Sequence, residues 1–326
     1  MTLLAAVLAL ATLAVDSAAP APLEPARTIE LPGVEGRVDH LVEDAAARRL
    51  YVAALGNGTI EVVDVDAGRR VGRIEGLEEP QGVVVLPTGT LVVTTGGEGA
   101  VRFYDAARKL VARVTGFDDA DNVRFDPKSG LVYVGHGDGA IAVIDPVAHA
   151  LQADIAFTGH PESFQLEQDG ARIFVNVPSA KAVVVIDRDR SAVIGSWPLE
   201  GVSSNYPMAL DERHHRLFVG CREPARLVVL DTHAGTVVAS FDCCGDADDV
   251  WRDGTNRRIY VSGGEGCVTV IDEAEDGSLA IDRNVITAPG ARTSLLAEDG
   301  RLYVAVPHRG KQAAAIRELV RPVARP

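Results

Sequence analysis

Three observations predict an all-β chain folded as a seven-bladed β-propeller. A five-residue strand pattern recurs seven times, as Arg49-Leu-Tyr-Val-Ala, Thr90-Leu-Val-Val-Thr, Leu131-Val-Tyr-Val-Gly, Arg172-Ile-Phe-Val-Asn, Arg216-Leu-Phe-Val-Gly, Arg258-Ile-Tyr-Val-Ser and Arg301-Leu-Tyr-Val-Ala. With Tyr51, Val92, Tyr133, Phe174, Phe218, Tyr260 and Tyr303 taken as equivalent, the copies lie 41, 41, 41, 44, 42 and 43 residues apart. Most copies lead through a Gly-rich turn into a second run ending in Asp: Ile60 to Asp64, Val101 to Asp105, Ile141 to Asp145, Val183 to Asp187, Leu227 to Asp231 and Val268 to Asp272. β-Branched runs bounded by turn residues read as strands, and a period of ~40–45 residues with four short strands per unit marks a propeller blade.

Taken in chain order, the first element is an apolar run of 13 residues, Leu3 to Val15, followed by Ser17-Ala18-Ala19-Pro20-Ala21-Pro22. A bilayer span needs ~20 apolar residues, so this reads as the core of a signal peptide over 1–21, although no Lys or Arg precedes it and the prolines leave the cleavage point open. No later run is long enough to span a bilayer and no Cys follows to accept a lipid. The expected mature protein is a soluble monomer, periplasmic or secreted. Residues 26–320 then form one domain. Its last repeat stops after a third strand, near Ala313 to Val320, while Ala26-Arg-Thr-Ile-Glu-Leu31 stands unassigned before the first repeat. That N-terminal strand is expected to complete the last blade and so hide the edges of the ring. Residues 321–326 are a C-terminal tail.

The 326 residues are 47% hydrophobic and 24% charged, an ordinary globular balance with ample material for a core. Lys plus Arg number 32 against 46 Asp plus Glu, a net charge of −14 without a basic run, so a nucleic-acid partner is not expected. Two Trp are too few for a quinone-cofactor propeller with its repeated Trp-docking motif. A phosphate-binding Gly loop, a Gly-x-Ser-x-Gly elbow and a His-Glu-x-x-His motif are all missing. Trp197 and Trp251 read as blade-packing residues.

The repeats resemble those of the YVTN-repeat (YncE-like) propeller family, in which Tyr-Val-x-Asn and Val-x-Val-Ile-Asp units recur. The matching residues are Tyr51-Val52 with Val62-Val63-Asp64, Tyr133-Val134 with Val143-Ile144-Asp145, and so on through everything after the signal segment. No copy reads Tyr-Val-Thr-Asn, as in a diverged member of that family. The resemblance implies a propeller with WD40-like four-stranded blades. It implies no activity, because the family is defined by scaffold residues.

In a propeller the loops entering the innermost strands, and those joining second to third strands, open on one face. Counting back from each motif places Asp39-His40, Gln81-Gly82, Asp121-Asn122, Glu162-Ser163, Asn205 before Tyr206-Pro207, Asp248-Asp249 and Arg292-Thr293 there. One reading is simply a wet, polar channel. The other starts from electrostatics: Asp39, Asp121, Glu162, Asp248 and Asp249 would repel one another unless a cation or raised pKa values relieve them. A divalent cation such as Ca²⁺, held by Asp39, Asp121, Asn122, Glu162, Asp248 and Asp249, is the simplest relief, with Gln81 and Asn205 supplying further amides. Arg292 would then hold the carboxylate or phosphate of a small anionic ligand. Neighbouring loops add Glu98, His136, Glu265, Cys221-Arg222 and His308-Arg309. His40 and His308 belong to blades adjacent across the closure, and either could serve as general base or extra ligand. His160 reads instead as a turn cap, and His149, His214, His215 and His233 as solvated.

Cys221, Cys243, Cys244 and Cys267 map to one sector of this face. In an oxidising compartment they could form one or two disulfides, such as Cys221 with Cys243 or Cys244, or a vicinal Cys243–Cys244 bridge. Free packed thiols and a soft-metal thiolate site are the alternatives. Two functions remain open: a propeller that binds a small molecule, metal ion or protein partner at the rim of its channel, and a metal-assisted lactonase, lyase or hydrolase built on the acidic ring.

Overall fold

The computed structural model describes residues 22–321. Segment 1–21, expected from the sequence to be a signal peptide, and residues 322–326 of the expected tail lie outside them. Seven four-stranded antiparallel sheets form the blades. The innermost strands are Leu41–Asp44, Pro80–Val85, Val123–Asp126, Phe164–Leu166, Ser203–Asp211, Ala247–Asp253 and Ser294–Leu296. Each is followed by a strand carrying the Tyr/Phe-Val motif, from Arg49–Ala54 in blade 1 to Leu302–Val306 in blade 7. No helix among the described residues is long and apolar enough to cross a membrane.

The sequence patterns have local causes. The motif strands are buried on both faces because each sheet is sandwiched between its neighbours, which explains their continuous rather than alternating apolar character. The cores accordingly lie between blades: Tyr51, Ile60 and Val62 of blade 1 pack with Val83, Leu91 and Tyr104 of blade 2. Trp251 packs against two of these clusters, and Trp197 stacks on Phe174 at 5.2 Å between ring centroids. The recurring Asp has a turn function. Asp64 accepts from Ala67 N at 2.8 Å, Asp145 from Val147 N and Ala148 N at 2.8 and 2.9 Å, and Asp231 from His233 N and Ala234 N at 2.8 Å each. These backbone donors hold all three carboxyls below the usual Asp range. The recurring Arg sits in register with that Asp, as in Arg49 with Asp64 and Arg258 with Asp272, paired at 2.9 and 2.7 Å.

The outer strands are the exposed edges of the ring, and they are protected by bulges. In blades 1 to 6 the pairing of third to fourth strand skips one residue at the equivalent place: Val71, Val111, Gln152, Ile194, Val238 and Asp282. A bulge increases local twist and spoils the edge as a template for another chain. In blade 7 the outer strand is Glu24–Glu30, antiparallel to Ala315–Val320, so the N-terminal strand closes the ring as the leftover segment predicts.

Candidate functional site

The backbone fixes the channel residues before any side chain acts. In blade 1, Asp39 N donates to Ala53 O at 2.8 Å and Ala53 N to His40 O at 3.0 Å. Blade 3 repeats this pair through Asp121, Gly135 and Asn122, and blade 4 through Glu162, Asn176 and Ser163. The residues just before each inner strand are thus extensions of the sheet rather than free loop. In blade 2 the same place is Gly82, where a Cβ would collide with the carbonyl oxygen of Asp121. Thr94 Oγ1 accepts from Gly82 N at 2.7 Å and donates to that carbonyl at 2.5 Å, locking blade 2 against blade 3.

These extensions converge on a narrow cavity of about 20 Å³, room for about one water, lined by Arg37, Asp39, His40, Asp121, Asn122, Glu162, Ser163, Tyr206 and Asp248. Eight residues expected there line it: Asp39, His40, Asp121, Asn122, Glu162, Ser163, Tyr206 and Asp248. Asp39 Oδ2 touches Arg37 Nη2 at 2.7 Å without an aligned N–H, and His40 Nε2 stands 3.7 Å from Asp39 Oδ1 and 3.9 Å from Asp121 Oδ1. His160 Nδ1 donates to Gly137 O at 2.8 Å, while its Nε2 stands 4.0 Å from Asp121 Oδ2. His160 thus ties its loop to the Gly137 turn of blade 3, and its ring also borders the acidic cluster. Asp121 Oδ1 is buried and has no hydrogen-bond partner, and the Glu162 side chain makes no hydrogen bond or ion pair.

Several expected site residues look elsewhere. Asp249 accepts from Ser294 N at 2.7 Å, and Gln81 Nε2 donates to Asp119 Oδ1 at 3.2 Å. Asn205 donates to Asn176 Oδ1 and to Ala182 O, each at 3.0 Å, inside the wall between blades. His136 is buried against Phe117 with Nε2 3.0 Å from Asp154 Oδ1, and Glu265 accepts from Gly245 N at 3.0 Å. Glu98 accepts from Arg102. His308 pairs with Glu35 at 2.6 Å in a neighbouring cleft that shares only Arg37 with the channel cavity, so His40 and His308 do not flank one spot.

Arg292 is not a free anion anchor. Its Nε lies 3.0 Å from Asp248 Oδ2 and its Nη1 3.2 Å from Asp246 Oδ1, and both carboxylates also pair with Arg222. The Arg222 guanidinium stacks 3.8 Å above the Tyr206 ring. Asp246 holds a left-handed φ of 55° there, a conformation Asp tolerates. Two further cations, Arg37 and Arg124, were not anticipated. Arg124 is half-buried beside Asn122 and donates to Val123 O at 2.9 Å. Both lie two residues from an expected site residue, on the same face of an extended segment, and that spacing is the signal that would have found them.

Both reliefs for the crowded carboxylates, cations and shifted pKa values, operate here. Burial, reinforced by Asp121 and Asp248, raises Glu162 to about 7, and burial raises Asp249 to about 7. Burial also raises Asp39, against the pull of His40 and Arg37. Asp121 lifts His160 to about 9 over the opposing effect of burial. For His40 burial pulls downward, but Asp39, Asp249 and Asp121 together leave it raised. Among the described residues, the sets of three His, Cys, Asp or Glu with ligand atoms within 4.8 Å of one another are Cys244/Glu265/Cys267 and Asp211/His214/Glu273, so the channel carboxylates do not form one tight cage. Asp211 and Glu273 are bridged by Arg252 at 2.8 Å to each.

The cysteine expectations need correction. The disulfide joins Cys244 to Cys267, linking the loop before the inner strand of blade 6 to the start of its third strand. Cys221 and Cys243 are free thiols, both pushed up to about 12, chiefly by burial.

No protein-family model and no curated protein sequence matches the chain. Its fold is shared by solved structures. A chain of the hydrazine synthase of Kuenenia stuttgartiensis is 17% identical, with 84% of this chain and 95% of that one covered at a TM-score of 0.73. A chain of the mitotic checkpoint complex is 15% identical, with 98% of each covered at a TM-score of 0.77. The chain is a seven-bladed β-propeller. At these identities the likeness extends to the fold alone.

Proposed function

We propose that this protein is an exported, YVTN-like propeller that binds a small polar ligand at the mouth of its channel and performs no chemistry on it. One observation carries the reading: Asp121 Oδ1 is a buried carboxylate oxygen without a hydrogen-bond partner, facing a cavity in which Glu162 also makes no hydrogen bond. A desolvated charge costs several kcal/mol unless compensated (~1–3 kcal/mol even for an unpaired polar group), and such a cost persists where it serves recognition. Export rests on the apolar run Leu3 to Val15, and family kinship on the repeats. A thermal-shift screen of polar metabolites tests the binding: a ligand class should raise the melting temperature of wild type but not of Asp121→Asn. Equal shifts in both proteins, or none in either, would remove the reading. Intact mass of the exported chain tests processing, which should remove about the first 21 residues.

A second reading has its own observation. Glu162, raised to about 7, stands beside His160, raised to about 9, and a carboxyl poised near neutral pH beside a protonated imidazole is a common active-site arrangement. The metal-assisted lactonase, lyase or hydrolase would use them with a divalent cation such as Ca²⁺. That version needs three channel ligands around one point, a condition the separated carboxylates do not meet. Turnover of a lactone or ester panel, abolished in Glu162→Gln, would establish it.

A further inference from the structure

We propose that the cleft between blades 7 and 1 is a binding site for a small anion bearing carboxylate or phosphate groups. It lies beside the channel, sharing Arg37 with it, and does not depend on the channel reading above. Space comes first. The cleft holds about 250 Å³ against about 20 Å³ in the channel cavity, near the lower end of small-molecule pockets at ~300 Å³. A molecule of a few heavy atoms fits the one and not the other.

The lining sets the sign. Arg37, Arg292, His308 and Arg309 line the cleft and no Asp or Glu does, in a chain whose 46 acidic residues outnumber its 32 basic ones. Arg309 is the unmatched charge: among the described residues its guanidinium makes no hydrogen bond and no ion pair. Arg37 and Arg292 are held by carboxylates outside the cleft, Arg37 by Asp39 and Arg292 by Asp248 and Asp246. Neither spends all its donors there. Arg292 uses Nε and Nη1, and Arg37 touches Asp39 through Nη2, so Nη2 of the first and Nε and Nη1 of the second make no hydrogen bond. A guanidinium has donors and no acceptor, and its fork matches the paired oxygens of a carboxylate or phosphate.

The walls are fixed in advance. Gln312 Nε2 donates to Pro307 O at 2.8 Å and to Pro289 O at 3.1 Å, and Gln312 and Arg309 exchange backbone bonds at 2.9 and 3.0 Å, so the loop carrying His308 and Arg309 is pinned to the entry of blade 7. A Cβ on Gly290 would sit 2.5 Å from Arg309 Cζ; its absence lets the guanidinium lie against the cleft wall. On the blade 1 side, Gly56 N donates to Arg37 O at 3.0 Å and Asn57 Oδ1 accepts from Glu35 N at 2.7 Å. Glu35 then shows what the cleft accepts. Its carboxylate, 64% exposed, reaches over to His308 Nδ1 at 2.6 Å and has no other partner. An exposed pair of this kind is weak, so a free anion can displace Glu35 and take His308 together with Arg309.

The test is isothermal titration of the folded chain at pH 7.5 and low salt with inorganic phosphate and with succinate, beside succinamide, the neutral counterpart of succinate, and putrescine, a cation. Phosphate, succinate or both should bind, and their order tells phosphate from carboxylate recognition. Succinamide and putrescine should bind at least tenfold more weakly. Arg309→Gln should weaken the bound anion at least tenfold, the usual loss for a charged hydrogen bond; its side chain bonds to nothing in the folded chain, so the fold survives the change. Glu35→Gln removes the internal competitor for His308 and should strengthen binding at least threefold, a gain that misfolding does not produce. Arg226→Gln removes the same charge in blade 5, where Arg226 pairs with Asp242, and should change the affinity less than twofold. Silence of both anions overturns the proposal, as does an affinity indifferent to Arg309→Gln or lowered as much by Arg226→Gln.

Discussion

At the scale of single residues, the channel writes its electrostatics into the pH dependence of stability. Glu162 holds its proton in the folded chain up to about 7 but in the unfolded chain only to its ordinary 4.5, so stability falls as pH rises through that window and levels off above it. Glu162→Gln should match wild type near pH 4 and exceed it at pH 8 by ~1–3 kcal/mol, since one pKa unit is worth ~1.4 kcal/mol. His160 acts over the next window. Its pKa, raised from 6.5 to about 9, gives stability that is complete below 6.5 and lost as pH climbs through 9. His160→Gln should flatten that upper limb. Urea midpoints from pH 4 to 9.5 decide both, and variant curves running parallel to wild type would refute the assignments. The free thiols make a separate prediction. With Cys221 and Cys243 pushed up to about 12, almost no thiolate exists at pH 8, and alkylation should be slow until the chain unfolds. Mass spectrometry should then find two modified cysteines without reductant and four with it. Rapid labelling of Cys221 in the folded protein would contradict the burial of its side chain, Cys243 being half-buried.

At the scale of strands and loops, the Cys244–Cys267 bond ties the approach to the inner strand of blade 6 to its third strand, closing a segment of 23 residues. By loop entropy such a link contributes ~3 kcal/mol. It also steadies the loop that presents Asp246 and Asp248 to Arg222 and Arg292. Reduction, or the Cys244→Ser/Cys267→Ser pair, should lower the urea midpoint by that order; identical midpoints with and without reductant would show that the clamp carries no stability. The strands themselves were legible in the sequence because each motif residue does the same physical task in every blade: Arg meets Asp across the ladder, Asp caps the next turn, and Tyr or Phe fills the gap between sheets. The site was half legible for an equally physical reason. Counting back from a motif gives a two-residue window, and in blades 1, 3 and 4 both residues of that window line the cavity, whereas in blade 6 the pairing skips Asp248, which lines it, while Asp249 turns to Ser294. Nothing in the sequence marks that bulge. Arg37 and Arg124, two residues from Asp39 and Asn122, were within reach of the alternation along an extended chain. The cysteine pairing was not, since it depends on the path of the loop around Gly263, whose carbonyl lies 3.7 Å from Cys244 Sγ.

At the scale of the whole molecule, the ring holds only if the two ends of the chain meet. Blade 7 takes its outer strand from Glu24–Glu30 and its other three from the last repeat, so a contact nearly 300 residues apart in sequence, Arg27 with Glu318 at 2.6 Å, sits on the seam. Arg27 also donates to Val65 O and Asp66 O in blade 1, so the strand fastens blade 7 to blade 1 as well as completing it. Ile29 and Leu31 are 0% and 1% exposed in the core shared by those blades, and full burial of such side chains is worth ~1.5–3 kcal/mol each. A chain beginning at residue 22 keeps all of these contacts and should melt with the full-length protein. A chain beginning at residue 32 loses them and uncovers Ala315–Val320, a strand without the bulge that guards the outer strands of the other six blades. It should melt at a lower temperature and elute from a sizing column as oligomers, because an unpaired strand edge recruits other chains. A synthetic peptide of residues 22–33, added in trans, should restore the monomer by taking up the vacant edge. If the shorter chain is as stable and as monomeric as the longer one, the seam is not what keeps the ring closed, and the packing of blade 1 directly on blade 7 must suffice.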